Sequence, residues 1–150
     1  MTLHPTNDKF RKCLCCGYCK LIKEQPMSIS MQELNPHNYP TTPEIDANLA
    51  ILLDRMNQVR DAYAIPMIVT SGLRSQADQQ RINPKAPKSH HLMGEAVDIA
   101  DADRKLTNWV KVNMDLMEQI GLWFEDFDHT ISWVHFQCVP PKSGNRVFIP

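Results

Sequence analysis

No stretch of this 150-residue chain is apolar for long enough to cross a membrane; a spanning helix needs roughly 18–20 such residues. Excess charge of one sign is also missing. The formal net charge is −1, which argues against nucleic acid or an anionic membrane as the main partner. There is no secretory h-region, since residues 1–26 are polar, basic and cysteine-rich. The chain is therefore expected to be made in the cytoplasm without a signal peptide, and any action outside it requires delivery or release. A disulfide framework is absent too. Cys13, Cys15, Cys16 and Cys19 crowd one short segment and Cys138 stands alone, so the neighbours cannot staple distant parts of a fold. In a cytosolic product, thiols are the expected state. We find no internal repeat.

What is present is ordinary for a soluble globular domain, with 43% hydrophobic and 22% charged residues. The length fits one domain with a substantial core. Residues 1–26 read as a flexible Cys-rich leader and 27–150 as the domain, with Met27 an alternative start. Cys16-Gly17-Tyr18-Cys19 has the spacing of one metal-binding knuckle. A full structural site usually draws on two, so a reduced leader is preferred over a second metal at Cys13, Cys15, Cys16 and Cys19.

Thr42-Pro43-Glu44 is a helix start, with an N-cap, a first-turn proline and an acid at the positive dipole end. Ile45, Leu49, Leu52, Leu53, Met56, Val59 and Tyr63 then form one apolar stripe on a helix of about 20 residues. Met67-Ile68-Val69 reads as a short buried strand and Gln76–Ile82 as a short helix. Residues 83–88 read as a loop, Glu95–Ala100 as a strand and Arg104–Ile120 as a second amphipathic helix. Leu122–Phe127 and Ser132–Cys138 read as two strands of an antiparallel hairpin, and residues 147–149 as an edge strand. Helices and strands mix without a βαβ repeat, so the fold class is α+β.

The informative segment is Ser89-His90-His91-Leu92-Met93-Gly94-Glu95-Ala96-Val97-Asp98. A catalytic zinc takes three protein ligands from His and carboxylate and keeps one position open. His91 and Asp98 can supply two if the chain turns between them, and Gly94 tolerates the backbone angles such a turn needs. Asp98 falls on the strand face opposite Val97 and Ile99, where a buried carboxylate needs a partner. His135 is the candidate third ligand, inside an otherwise apolar strand.

Ser89, His91, Gly94, Ala96 and Asp98 form a Ser-x-His-x-x-Gly-x-Ala-x-Asp pattern. It resembles that of the zinc D-alanyl-D-alanine metallopeptidases, which include D,D-carboxypeptidases, D,D-dipeptidases and phage L-alanyl-D-glutamate endopeptidases. Ser71-Gly72-Leu73-Arg74-Ser75 is similar to the family's Ser-Gly-Tyr-Arg-Ser element, and Trp133-Val134-His135 to its terminal Trp-x-His segment. The resemblance covers roughly residues 40–140. It implies a small central antiparallel sheet flanked by helices, and one catalytic Zn2+ on His91, Asp98 and His135. It also implies Arg74 and Ser89 as substrate-binding residues, with His90 at the rim.

The usual general base is missing. Where many relatives carry an acid three residues before the last ligand, this chain has Ser132; where another branch carries a His two residues before, it has Trp133. The preceding strand offers Glu125, Asp126 and Asp128, with His129 at the turn. A turn near residues 129–131 sets residue 125 or 126 opposite His135, and a one-residue slip exchanges the faces. Glu125 is preferred, because relatives with a Trp-Val-His ending carry a Glu in this strand; Asp128 is second. The function so implied is zinc-dependent hydrolysis of peptidoglycan stem peptides. The protein would be a monomeric phage-type endolysin or D,D-carboxypeptidase acting on the wall after release, or virion-associated. The missing acid keeps open an inactive, zinc-stabilised module that binds cell wall or virion partners.

Overall fold

The computed structural model describes residues 28–150; the proposed leader, with its four cysteines, lies outside the described residues. The element order is α1 (Met31–Leu34), α2 (Pro43–Tyr63), β1 (Val69–Ser71), α3 (Gln76–Ile82), a 3-10 turn (His90–Met93), β2 (Ala96–Ala100), α4 (Lys105–Val112), α5 (Met114–Ile120), β3 (Trp123–Glu125), β4 (Trp133–Gln137) and β5 (Val147–Phe148). The five strands form one sheet in the order β1-β2-β4-β3-β5. The fold is therefore α+β. All pairings are antiparallel except that of β5, which lies parallel to β3.

Local chemistry explains the long helix. Thr42 accepts from the Ile45 N–H, Pro43 occupies the first turn, and Ala64 ends the helix in the left-handed region at φ 56°. Leu49, Leu52, Met56 and Val59 bury the expected stripe. They join one core with Val97 and Ile99 of β2, Phe124 of β3, Val134 and Phe136 of β4, Leu106 and Val110 of α4, and Met117 of α5. Side chains alternate along a strand. Since Val97, Ile99, Phe124, Val134 and Phe136 face this core, Asp98, His135, Gln137 and Glu125 fall on the opposite face.

Two elements differ from the sequence reading. β1 is Val69–Ser71 rather than residues 67–69. Met67 is buried but Ile68 is exposed. Register with β2, pairing Val69 with Ile99 and Ser71 with Asp98 across an irregularity, decides the strand rather than apolarity. The single helix expected over 104–120 is two. Asn113 leaves helical geometry at φ −113°, ψ 30°, and its side-chain amide donates to the Trp109 carbonyl at 2.8 Å, a local bond that competes with helix continuation. Asp101 anchors α4, accepting from the Leu106 and Thr107 N–H groups at 2.9 Å.

Candidate functional site

His91, Asp98 and His135 meet on the sheet face away from the core. One potential ligand atom from each lies within 4.8 Å of the others. Three separate local structures bring them there. His91 sits in the 3-10 turn that Ser89 caps, its N–H donating to Ser89 Oγ at 3.4 Å. Gly94 closes that turn at φ 68°. A Cβ at Gly94 would lie 2.8 Å from Leu49 Cγ, so close packing on α2 also requires glycine there. Asp98 and His135 are direct cross-strand partners of β2 and β4.

Hydrogen bonds fix which nitrogen each imidazole presents. His91 Nδ1 lies 2.8 Å from the Gly72 carbonyl. A carbonyl only accepts, so Nδ1 carries the proton and Nε2 presents a lone pair, 3.4 Å from Asp98 Oδ2. Gln137 donates its amide N–H to the Val139 carbonyl at 2.6 Å. Its oxygen therefore faces His135 Nε2, at 3.2 Å, and that nitrogen is the donor. His135 Nδ1 is then a second lone pair, aimed at Asp98 Oδ1 from 2.8 Å. Two acceptors face one another in a buried place, an arrangement that calls for a cation or a proton between them.

The donor set fits zinc. Zinc bonds to N and O of about 2.0–2.2 Å in a tetrahedron put ligand atoms about 3.3–3.5 Å apart. Oriented histidines and a buried carboxylate are what such an ion takes. Within the cluster, burial would raise the Asp98 carboxyl. When the two rings are protonated, the hydrogen bonds that His135 and His91 then donate, and their charge, outweigh it and hold Asp98 well below the usual carboxylate range. For His135, burial disfavours the charged ring, but the hydrogen bond and charge of Asp98 prevail and raise its pKa.

Two polar groups flank the cluster. Arg74 donates from Nη2 to Asp98 Oδ2 at 2.9 Å, from Nε to Ser71 Oγ at 2.8 Å, and from Nη1 to Gln79 Oε1 at 3.0 Å. Its backbone N–H donates to the His91 carbonyl. A guanidinium has five N–H groups, so two remain beyond these bonds. On the other flank, Glu125 Oε1 lies 3.9 Å from His135 Nε2, with its side chain 25% exposed. The β3–β4 register pairs Trp123 with Gln137 and Phe124 with Phe136, and its continuation sets Glu125 beside His135.

Other candidates stand elsewhere. Asp128 is exposed in the hairpin turn. Asp126 is 2.8 Å from His129 in the same turn. His90 pairs with Glu95 at 2.7 Å. Ser132 precedes β4, where its carbonyl accepts the Asp101 N–H. Sequence reasoning missed Gln137, Gln79 and the carbonyl of Gly72. Gln137 was accessible in principle, because residues two apart on a strand share a face. A backbone carbonyl leaves no signature in side-chain pattern.

A sheet that presents two imidazoles and a carboxylate, with a guanidinium on one flank and a second carboxylate on the other, has the layout of a metal-dependent hydrolase. The chain belongs to the Peptidase M15 family, whose profile matches residues 27–135. No curated protein matches the chain. Among solved structures, it is similar to the L-Ala D-Glu endopeptidase ChiX of Serratia marcescens, with 19% identity over 74% of this chain and 98% of that one, at a TM-score of 0.46.

Proposed function

We propose that this peptidase is a zinc enzyme that hydrolyses stem peptides of peptidoglycan, with His91, Asp98 and His135 as metal ligands and Glu125 as general base. The observation that carries the metal assignment is the facing pair of acceptors. His135 Nδ1 and Asp98 Oδ1 are 2.8 Å apart, while the other nitrogen of His135 is committed to Gln137. A zinc ion held there supplies Lewis acidity toward the peptide carbonyl and makes nearby water more acidic.

The residues of the chain do the rest. Glu125 accepts a proton from the attacking water on its carboxylate, then gives it to the departing amine nitrogen as the C–N bond breaks. The spare N–H groups of Arg74 hold a substrate carbonyl or carboxylate. Ser89 acts from the rim through its place beside His91. We further read the protein as a phage-type endolysin or a D,D-carboxypeptidase, acting on the wall as a monomer after release. No described helix is long and apolar enough to cross a membrane.

The test is digestion of purified peptidoglycan, with mass spectrometry of the released peptides to identify the cleaved bond. Glu125→Gln should keep one equivalent of zinc and lose hydrolysis by about 10²–10⁴-fold, the usual contribution of a positioned base. Asp128→Ala should stay active, and His135→Ala should lose both zinc and activity. An active Glu125→Gln enzyme would refute the base. Wild-type protein that binds zinc and releases nothing from any wall would favour the inactive binding module instead.

A further inference from the structure

Glu125 is set in place by its backbone rather than by bonds of its own carboxylate. Among the described residues, that carboxylate has one charged neighbour, His135 Nε2 at 3.9 Å, too far for a hydrogen bond. The side chain therefore goes where residue 125 of β3 sends it. The ladder between β3 and β4 stops one residue short of it. Its partners are Trp123 with Gln137 and Phe124 with Phe136, and β3 ends at Glu125. The chain then turns, with the His129 N–H donating to the Asp126 carbonyl at 2.9 Å.

The strand that does reach Glu125 is β5, which pairs Phe124 with Val147 and Glu125 with Phe148. One backbone bond lies on each side of Glu125. The Phe124 N–H donates to the Arg146 carbonyl at 2.9 Å, and the Asp126 N–H to the Phe148 carbonyl at 2.7 Å. With both neighbours tied to one strand, residue 125 has little freedom in φ and ψ. A strand of two residues is too short to stay docked by its ladder alone. Two side chains anchor it. Val147 packs against the core. Arg146 lays its guanidinium over the Trp123 ring, 4.3 Å from the centroid, and donates from Nη1 to the Leu122 carbonyl at 2.8 Å.

We propose that β5 is a positioning element of the active site, with Arg146 and Val147 as positioning residues that act on the reaction through Glu125. The inference rests on the reading of Glu125 as general base. It goes beyond that reading by assigning a catalytic consequence to a strand that carries no metal ligand. The three ligands stand on the 3-10 turn, β2 and β4. In the sheet order, β3 separates β5 from β4, so loosening β5 should disturb the base and spare the zinc.

The experiment uses the full zinc-loaded chain and a peptide that the wild type cleaves. Combining Arg146→Ala with Val147→Ala removes both anchors. A misplacement of about 1 Å costs on the order of 10²-fold, so kcat should fall by about 10–100-fold, with KM and zinc affinity little changed. Amide exchange at Asp126 should be slow in the wild type and fast in the double variant. In a Glu125→Gln background the same two substitutions should leave the residual rate within about twofold, since the group they position is already gone. A double variant with kcat within about twofold of wild type overturns the proposal. So does an equal loss in the Glu125→Gln background, lost zinc, or an unprotected Asp126 amide in the wild type. Should the double variant not fold, Arg146→Ala alone carries the test. Exchange at Asp126 should quicken about two- to fivefold, the scale of one exposed cation–π contact, and kcat should fall only where Glu125 is present. Unchanged exchange in that variant counts against the anchor. The two readings fail differently. A fully active Glu125→Gln enzyme removes the base and the positioning claim with it, whereas an inactive Glu125→Gln beside a fully active double variant keeps the base and removes only the positioning.

Discussion

Gln137→Leu should weaken zinc binding without touching any ligand. Gln137 is 1% exposed and does two things. Its oxygen accepts from His135 Nε2 at 3.2 Å, and its nitrogen donates to the Val139 carbonyl at 2.6 Å. Leucine has similar size and neither function, so a buried N–H and a partly buried carbonyl lose their partners. Each stranded group costs about 1–3 kcal/mol, and partial exposure of Val139 argues for a total of about 2–4 kcal/mol. For a domain of this size that is a fall in Tm of roughly 5–15 °C. The larger consequence is at the metal. Without an acceptor at Nε2, the His135 proton moves to Nδ1, where Asp98 Oδ1 waits at 2.8 Å. In the proposed site, Nδ1 is the nitrogen that must be bare to bind zinc. Displacing a proton stabilised there by about 1–3 kcal/mol weakens zinc by about 10–100-fold, the range seen for outer partners of ligating histidines. Competition against a chromophoric chelator measures the affinity, and nitrogen-15 NMR of the imidazoles reports the tautomer in metal-free protein. Gln137→Glu keeps an acceptor and should retain most of the affinity. A folded Gln137→Leu protein that binds zinc within about threefold of wild type, with the proton still on Nε2, would refute the reasoning.

Gly72→Ala should damage the same site from the other side. A Cβ there would lie 2.2 Å from the Leu34 carbonyl oxygen, which also accepts the Leu73 N–H. Backbone must move, and the Gly72 carbonyl moves away from His91 Nδ1. We expect about 2–4 kcal/mol less stability by denaturant unfolding and at least about tenfold weaker zinc; wild-type values would contradict the role given to Gly72. Cys138 should resist alkylation in the native protein. Burial is the main reason its thiol is pushed up to about 11, so the thiolate that reacts is scarce near neutral pH. The raised value also sets a sign for stability. The contribution is complete below the unfolded thiol pKa of about 8.5 and is lost as pH climbs toward the folded value. Rapid labelling of Cys138 in folded protein at pH 8, read by mass spectrometry, would be the contrary result.

How much of this was legible in the sequence depends on the kind of signal. The long helix was readable to its caps, because Thr42, Pro43 and the apolar stripe are local chemistry. The turn at Gly94 was readable because seven residues separate His91 from Asp98 and the two must converge. The break at Asn113 was not. Its apolar neighbours keep helical spacing on both sides, and the break depends on one side-chain bond to Trp109. β1 was displaced because pairing with β2 chose Val69 and Ser71, and no local pattern encodes a partner's position. Arg74 stood out in the sequence as a candidate, but its bonds to Asp98 and Gln79 depend on tertiary placement.

The hairpin register shows how packing and chemistry are joined here. Glu125 reaches the site face only because Phe124 faces the core. Phe124 is fully buried, with its ring 5.1 Å from that of Phe136 at 65°, and 5.7 Å from that of Phe127. A one-residue slip of β3 against β4 would turn Phe124 out toward His135 and drive the Glu125 carboxylate into the core. Both changes are unfavourable, one by exposing an aromatic ring and the other by burying a charge. The aromatic cluster therefore holds a carboxylate beside His135 at no cost to the core. Ser132 stands just before β4, and β4 itself carries no acid. The neighbouring strand can supply one, because cross-strand partners share a face as surely as alternate residues of one strand do.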